Sequence, residues 1–113
     1  MRGQAVSEQG TTTELAEMAE LLKLLGDPIR LSILALLQEQ ELSVTDLTRL
    51  TGATQPNTSQ HLRKLRSAGL IRETKRGQWV YYSLNLQDYP DLRIFLSQLP
   101  GRESRREQLS QLA

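Results

Sequence analysis

The sequence has no cysteine, and its 113 residues include a single histidine (His61), one tryptophan, one phenylalanine and three tyrosines. Without thiols there is no disulfide and no thiolate metal site, and a lone imidazole leaves little nitrogen for a structural zinc. No apolar run approaches the roughly 20 residues needed to cross a bilayer. The first residues lack the basic-then-apolar order of a secretory signal, so the expectation is a cytoplasmic protein with no membrane partner. Glycine-rich phosphate loops and paired carboxylates in a plausible pocket are missing too. Ser59 and His61, two positions apart on a helix, cannot face each other as nucleophile and base. These absences predict a protein that is not an enzyme, with no cofactor and no metal.

What is present fits one small domain with a real core. The net charge of +1 conceals an asymmetry: residues 1–50 carry four basic and eight acidic side chains. Residues 51–84 carry Arg63, Lys64, Arg66, Arg72, Lys75 and Arg76 against Glu73 alone. Positive charge concentrated on one segment has the form of a nucleic-acid footprint.

Residues 1–11 are polar and aperiodic and are expected to be a disordered N-terminal arm. Leu15, Met18, Ala19, Leu22 and Leu25 then repeat with helical spacing. Gly26-Asp27-Pro28 ends that helix and starts another, with Asp27 as cap and Pro28 in the first turn. Ile29 to Leu37 is apolar on nearly every side and so belongs at the centre of the core. Ser43-Val44-Thr45-Asp46 has the form of a capping box before a short helix that Thr51-Gly52 closes. Thr54 caps the next helix, Pro56 lies in its first turn, and Gly69 ends it in a left-handed conformation. Thr58, Leu62 and Leu65 share its buried face, leaving amide, hydroxyl and cationic side chains outside.

Residues 70–74 and 79–84 read as strands joined by a basic tip, Lys75-Arg76-Gly77-Gln78, with Trp79 and Tyr81 expected in the core. Tyr89, Leu92, Phe95, Leu96 and Leu99 mark a further amphipathic helix. The fold class predicted is mainly α with a small β-hairpin: a winged helix-turn-helix of about five helices plus a two-stranded wing, as a homodimer. Residues 12–99 form the DNA-binding and dimerisation domain, and 100–113 a partly helical C-terminal tail anchored by Leu109 and Leu112.

Four segments carry a resemblance to a known family. They are Leu25-Gly26-Asp27-Pro28-Ile29-Arg30-Leu31-Ser32-Ile33-Leu34, Glu41-Leu42-Ser43-Val44-Thr45-Asp46-Leu47, Gln55-Pro56-Asn57-Thr58-Ser59-Gln60-His61-Leu62-Arg63-Lys64-Leu65-Arg66 and Gly77-Gln78-Trp79-Val80-Tyr81-Tyr82-Ser83-Leu84. In this order and spacing, over roughly residues 13–97, the chain resembles the ArsR/SmtB winged helix-turn-helix repressors of bacteria and archaea. The resemblance implies a homodimer that binds a palindromic double-stranded operator and represses transcription until an inducer arrives. Gln55, Ser59 and Gln60 then meet base edges, with Thr54 and Asn57 at the same helix start. Arg63 and Lys64 lie at the backbone, and Lys75, Arg76 and Gln78 on the wing. Leu15, Met18, Leu22, Leu92, Phe95, Leu96 and Leu99 are the expected dimer interface.

One departure from the family pattern bears on sensing. Where many arsenic, cadmium and lead sensors of that family bind metal through two cysteines, this chain has Ser43 and Thr45, whose hydroxyls are poor ligands for soft metals. The histidines that other members use on the last helix are also missing, since no His follows His61. The inducer is therefore unknown. Two alternatives remain open. One is a DNA-binding regulator with an atypical metal or small-molecule site at the dimer seam. The other is a winged-helix protein-interaction module, which an apolar outer face on the second motif helix would favour.

Overall fold

Side chains that satisfy first-turn amides decide where the helices begin. The computed structural model describes residues 11–112. Within them α1 spans Thr11–Leu25, α2 Pro28–Glu39, β1 Leu42–Ser43, α3 Val44–Thr51 and α4 Gln55–Ser67. Then follow β2 Ile71–Arg76, β3 Trp79–Leu84, α5 Pro90–Ser97 and α6 Arg102–Ser110. The Asp27 carboxylate accepts from the Ile29 and Arg30 amides at 2.8 and 3.0 Å. Ser43 Oγ accepts from the Asp46 amide at 3.1 Å, and Thr54 Oγ1 from the Asn57 amide at 3.3 Å. Each cap offsets donors that a helix start leaves without a carbonyl, an effect of about 1 kcal/mol.

The uninterrupted buried run Ile33-Leu34-Ala35-Leu36-Leu37 makes α2 the axis of the fold. It packs against all five other described helices and against β3. Leu42, Leu47, Leu62, Leu65, Leu70, Leu86 and Leu96 close around it, almost wholly removed from solvent. Burying side chains of this size stabilises by about 1.5–3 kcal/mol each, so truncating Leu34 to alanine at the centre costs about 2–5 kcal/mol.

The sheet has three antiparallel strands in the order β1-β3-β2. The third strand, β1, is only two residues long and escapes detection by periodicity; Leu42 pairs with Tyr82 and Ser43 with Tyr81. In the hairpin the register runs from Ile71 opposite Leu84 to Arg76 opposite Trp79. Lys75 and Arg76 are therefore strand residues, and only Gly77-Gln78 turns. Gly77 takes φ +63° while Gln78 keeps negative φ, the II′ pattern that matches strand twist.

Residues 102–110 form a full helix, the sixth among the described residues, docked by buried Leu109 and half-buried Leu112. Glu39 at the end of α2 accepts from Arg102 Nε at 2.9 Å and Arg106 Nε at 3.0 Å. The disordered arm expected over residues 1–11 lies, apart from Thr11, outside the described residues.

Candidate nucleic-acid interface

Helix α4 is two-faced because its apolar residues are few and correctly spaced. Thr58, Leu62 and Leu65 are buried, and the Thr58 hydroxyl donates to Thr54 O at 2.9 Å instead of competing with the core. Gln55, Asn57, Gln60, Arg63 and Lys64 are exposed, and Ser59 is half-buried beside them. Among the described residues Arg63 and Lys64 form no ion pair, whereas Arg66 is engaged by Glu73. This surface offers bidentate amides beside exposed cations, with Glu17 and Glu20 of α1 across a shallow hollow from Arg63 and Lys64, and amide beside cation is the pairing that reads base edges and holds phosphate. Thr54 is exposed, but its hydroxyl oxygen is already used as the helix cap.

The wing supplies a second set. Lys75 is exposed on β2 and forms no ion pair among the described residues, and Gln78 is exposed in the turn. Arg76 is not free: its guanidinium contacts Glu41 at 2.6 Å and lies 5.0 Å from the centroid of the Tyr81 ring. The expectation of a buried Trp79 is overturned. It is 50% exposed, because it closes the hairpin at the tip, beyond the reach of the helical core. Tyr81 is half-buried. Tyr82, in the same strand, donates its hydroxyl to Glu73 Oε2 at 2.9 Å. Burial first, and then the Glu73 carboxylate, push the Tyr82 phenol up to about 12.

His61 faces inward from α4 towards the α1–α2 junction. Its Nδ1 is 3.1 Å from Arg30 Nη1 and its Nε2 is 3.8 Å from Asp27 Oδ1. The Arg30 backbone amide, more than the His61 and Arg30 charges, holds the Asp27 carboxyl below its ordinary value against the opposing effect of burial. No group of three or more His, Asp or Glu side chains suited to a metal occurs among the described residues. Ser43, at the family's first thiolate position, is buried and used as the α3 cap, while Thr45 is exposed.

The predicted dimer residues divide. Leu15, Met18, Leu22 and Phe95 are exposed, as is Ile94, which the sequence pattern did not single out. Leu92 and Leu96 face the other way, 6% and 1% exposed inside the chain's own core, and so are corrected to core residues. Leu99 is half-buried against that core. A helix as short as α5 cannot turn all its leucines outward and still cover α2. Sequence reasoning also missed the polar ties of Arg30, Glu41 and Glu73, because contacts between distant segments leave no local signal.

A short helix, a turn at left-handed Gly52 (φ +75°), and a second helix flanked by a hairpin define a winged helix-turn-helix protein. The family described as "Bacterial regulatory protein, arsR family" matches residues 27–73. The chain is 45% identical over 67 residues to the arsenical resistance operon repressor of Escherichia coli, covering 58% of this chain and 57% of that protein. Reduced HlyU from Vibrio cholerae superposes with a TM-score of 0.72 at 34% identity, covering 81% of this chain and 97% of that one. A homodimeric winged helix-turn-helix DNA-binding domain from Mycobacterium bovis superposes at 0.66 with 29% identity, over 86% and 87% of the two chains. The chain belongs to the ArsR family of winged helix-turn-helix transcriptional regulators. It spans 57%, 60% and 59% of the length of the first three curated relatives it matches. These relatives are regulators of transcription rather than enzymes.

Proposed function

We propose that this chain is a homodimeric repressor that binds a palindromic duplex operator through α4 and the wing, and that its inducer is not a soft metal captured by thiolates. The observation that carries the reading is the outer face of α4, where exposed Arg63 and Lys64, in no ion pair among the described residues, adjoin Gln55, Asn57, Ser59 and Gln60. That face argues against the protein-interaction module, which needs an apolar one. Gln55, Ser59 and Gln60 read bases, Arg63, Lys64 and Lys75 neutralise phosphate, and Gln78 flanks them on the wing. Arg76 contributes its charge only on leaving Glu41. Paired recognition helices lie one DNA turn apart, about 34–36 Å.

The test uses an operator selected from random duplexes. With about 6–10 phosphate contacts, affinity falls on the order of 10³–10⁵-fold between 50 and 200 mM salt. Arg63→Ala weakens selected and random DNA alike and makes the salt dependence shallower by about two per dimer. Gln60→Ala costs about 1–3 kcal/mol per half-site on the selected operator and little on random DNA. Equal losses on both DNAs with Gln60→Ala remove α4 as the sequence reader. Zinc, cadmium and trivalent arsenic at one equivalent leave the complex intact, and release by any of them would replace the thiolate-free reading with an unrecognised metal site. A second reading, a small-molecule inducer at the seam, is favoured by an apolar hollow of about 250 Å³ between α1 and α5, lined by Met18, Leu22, Tyr89 and Phe95.

A further inference from the structure

The contact of α4 with the α1–α2 junction is polar where the surrounding core is apolar. Arg30 donates from Nε to Leu24 O at 2.6 Å, and its Nη1 lies 3.1 Å from His61 Nδ1. A guanidinium nitrogen can only donate, so Nδ1 must carry the lone pair and the ring proton resides on Nε2. Nε2 faces Asp27 Oδ1 at 3.8 Å, the same oxygen that caps α2. Geometry thus specifies both ring nitrogens of a side chain only 19% exposed.

A doubly protonated ring has no lone pair for Arg30. It sets N–H against N–H between two cations, while Asp27 attracts it from the other side. Arg30 and Asp27 are the charged groups that contact the ring, from α2 and its cap; α1 contributes the Leu24 carbonyl that anchors Arg30. Among the described residues, α3 and β2, which also pack on α4, bring no charged group into contact with the ring. On α4 itself Lys64, one turn along, adds a like charge. Arg30 and the protonated ring cannot both keep their positions, so the Arg30 tie breaks and the middle of α4 is drawn towards Asp27.

We propose that Asp27, Arg30 and His61 form a proton-operated joint, in which the neutral ring ties α4 to Arg30 and protonation releases it from Arg30, reseats it towards Asp27 and weakens DNA binding. The DNA clause rests on the reading of α4 given above, and the test separates the two. His61 is the only histidine, so its ring nitrogen signals are unambiguous. At about pH 8 they should show Nε2 protonated and Nδ1 bare, and the Ile29, Arg30 and α4 amides should shift in step with the ring as pH falls to about 5.5. A protonated Nδ1 at the upper pH, or amides indifferent to the ring, overturns the joint. His61→Gln keeps one acceptor and one donor without titrating. Relative to it, the wild type should lose roughly tenfold in DNA affinity across the same range, the scale of one hydrogen bond to a charged group. Added charge on a DNA-facing helix acts in the opposite sense, so wild type that tracks the variant, or tightens in acid, refutes the release. If neither protein binds DNA at any pH, the functional reading fails and the DNA clause with it, while the ring signals alone decide the joint.

Discussion

Replacing Glu39 with glutamine should loosen the last helix from the core. The carboxylate is 8% exposed and receives Arg102 and Arg106, one on each oxygen. Burial by itself raises this carboxyl, but the hydrogen bonds and charges of the two arginines outweigh it and hold the group below its ordinary value. Glutamine keeps the shape, retains one acceptor and turns an amide donor towards an arginine donor. A hydrogen bond to a charged group contributes about 1.5–3 kcal/mol. The arginine side chains are 41% and 61% exposed, so screening reduces the expected loss for the whole clamp to about 1–2 kcal/mol. At about 4–8 °C per kcal/mol for a domain of this size, Tm should fall by about 5–15 °C at neutral pH. The assay is thermal unfolding at matched protein concentration, with hydrogen exchange of the α6 amides as the local readout. A depressed carboxyl contributes stability that is complete above its unfolded pKa and lost as pH falls through the folded one. The gap between wild type and variant should therefore close in acid and stay open in base. A Tm difference under about 2 °C, or a gap indifferent to acid, would show that Leu109 and Leu112 hold α6 without the clamp.

Two further outcomes test the exposed seam and the sheet. Met18→Glu with Leu22→Glu places charge on the exposed stripe of α1 and should convert a dimer into a 12.8 kDa monomer on the order of 10 µM, as light scattering reports; an unchanged mass moves the interface elsewhere. Phenol absorbance should show one tyrosine ionising at about 12 and lost in Tyr82→Phe, and the stability that Tyr82 contributes should be complete below its unfolded pKa and lost as pH rises through the folded value of about 12.

The helices were legible because their signals are local. Asp27, Ser43 and Thr54 cap where a side-chain oxygen precedes a free amide, and Gly52 and Gly69 take positive φ where the helices end. The buried character of α2 followed from its continuous apolar run. The polar face of α4 was equally readable, since three buried residues at helical spacing fix what points outward. What escaped depends on distant segments meeting. A two-residue strand has no period to detect, and Leu92 and Leu96 carry the same apolar label as Phe95 while facing the opposite way. Arg76 reads as a free cation until Glu41 is brought against it, and Trp79 reads as core until the register puts it at the hairpin tip.

The strand β1 is the shortest element among the described residues, yet it splices the hairpin to the helix-turn-helix. Ser43 pairs with Tyr81 in the sheet and in the same place caps α3, so one residue is shared by both halves of the motif. Arg76 reaching Glu41, just before β1, adds a second stitch near the tip. The wing is thus stitched to the first helix of the motif, and the wing side of the jaw behaves as a calliper arm rather than a hinge. If two such chains grip a two-fold target as proposed, each does so with one preset gauge, and any signal that alters the fit has to act on how the two callipers are mounted together or on the seating of α4 itself.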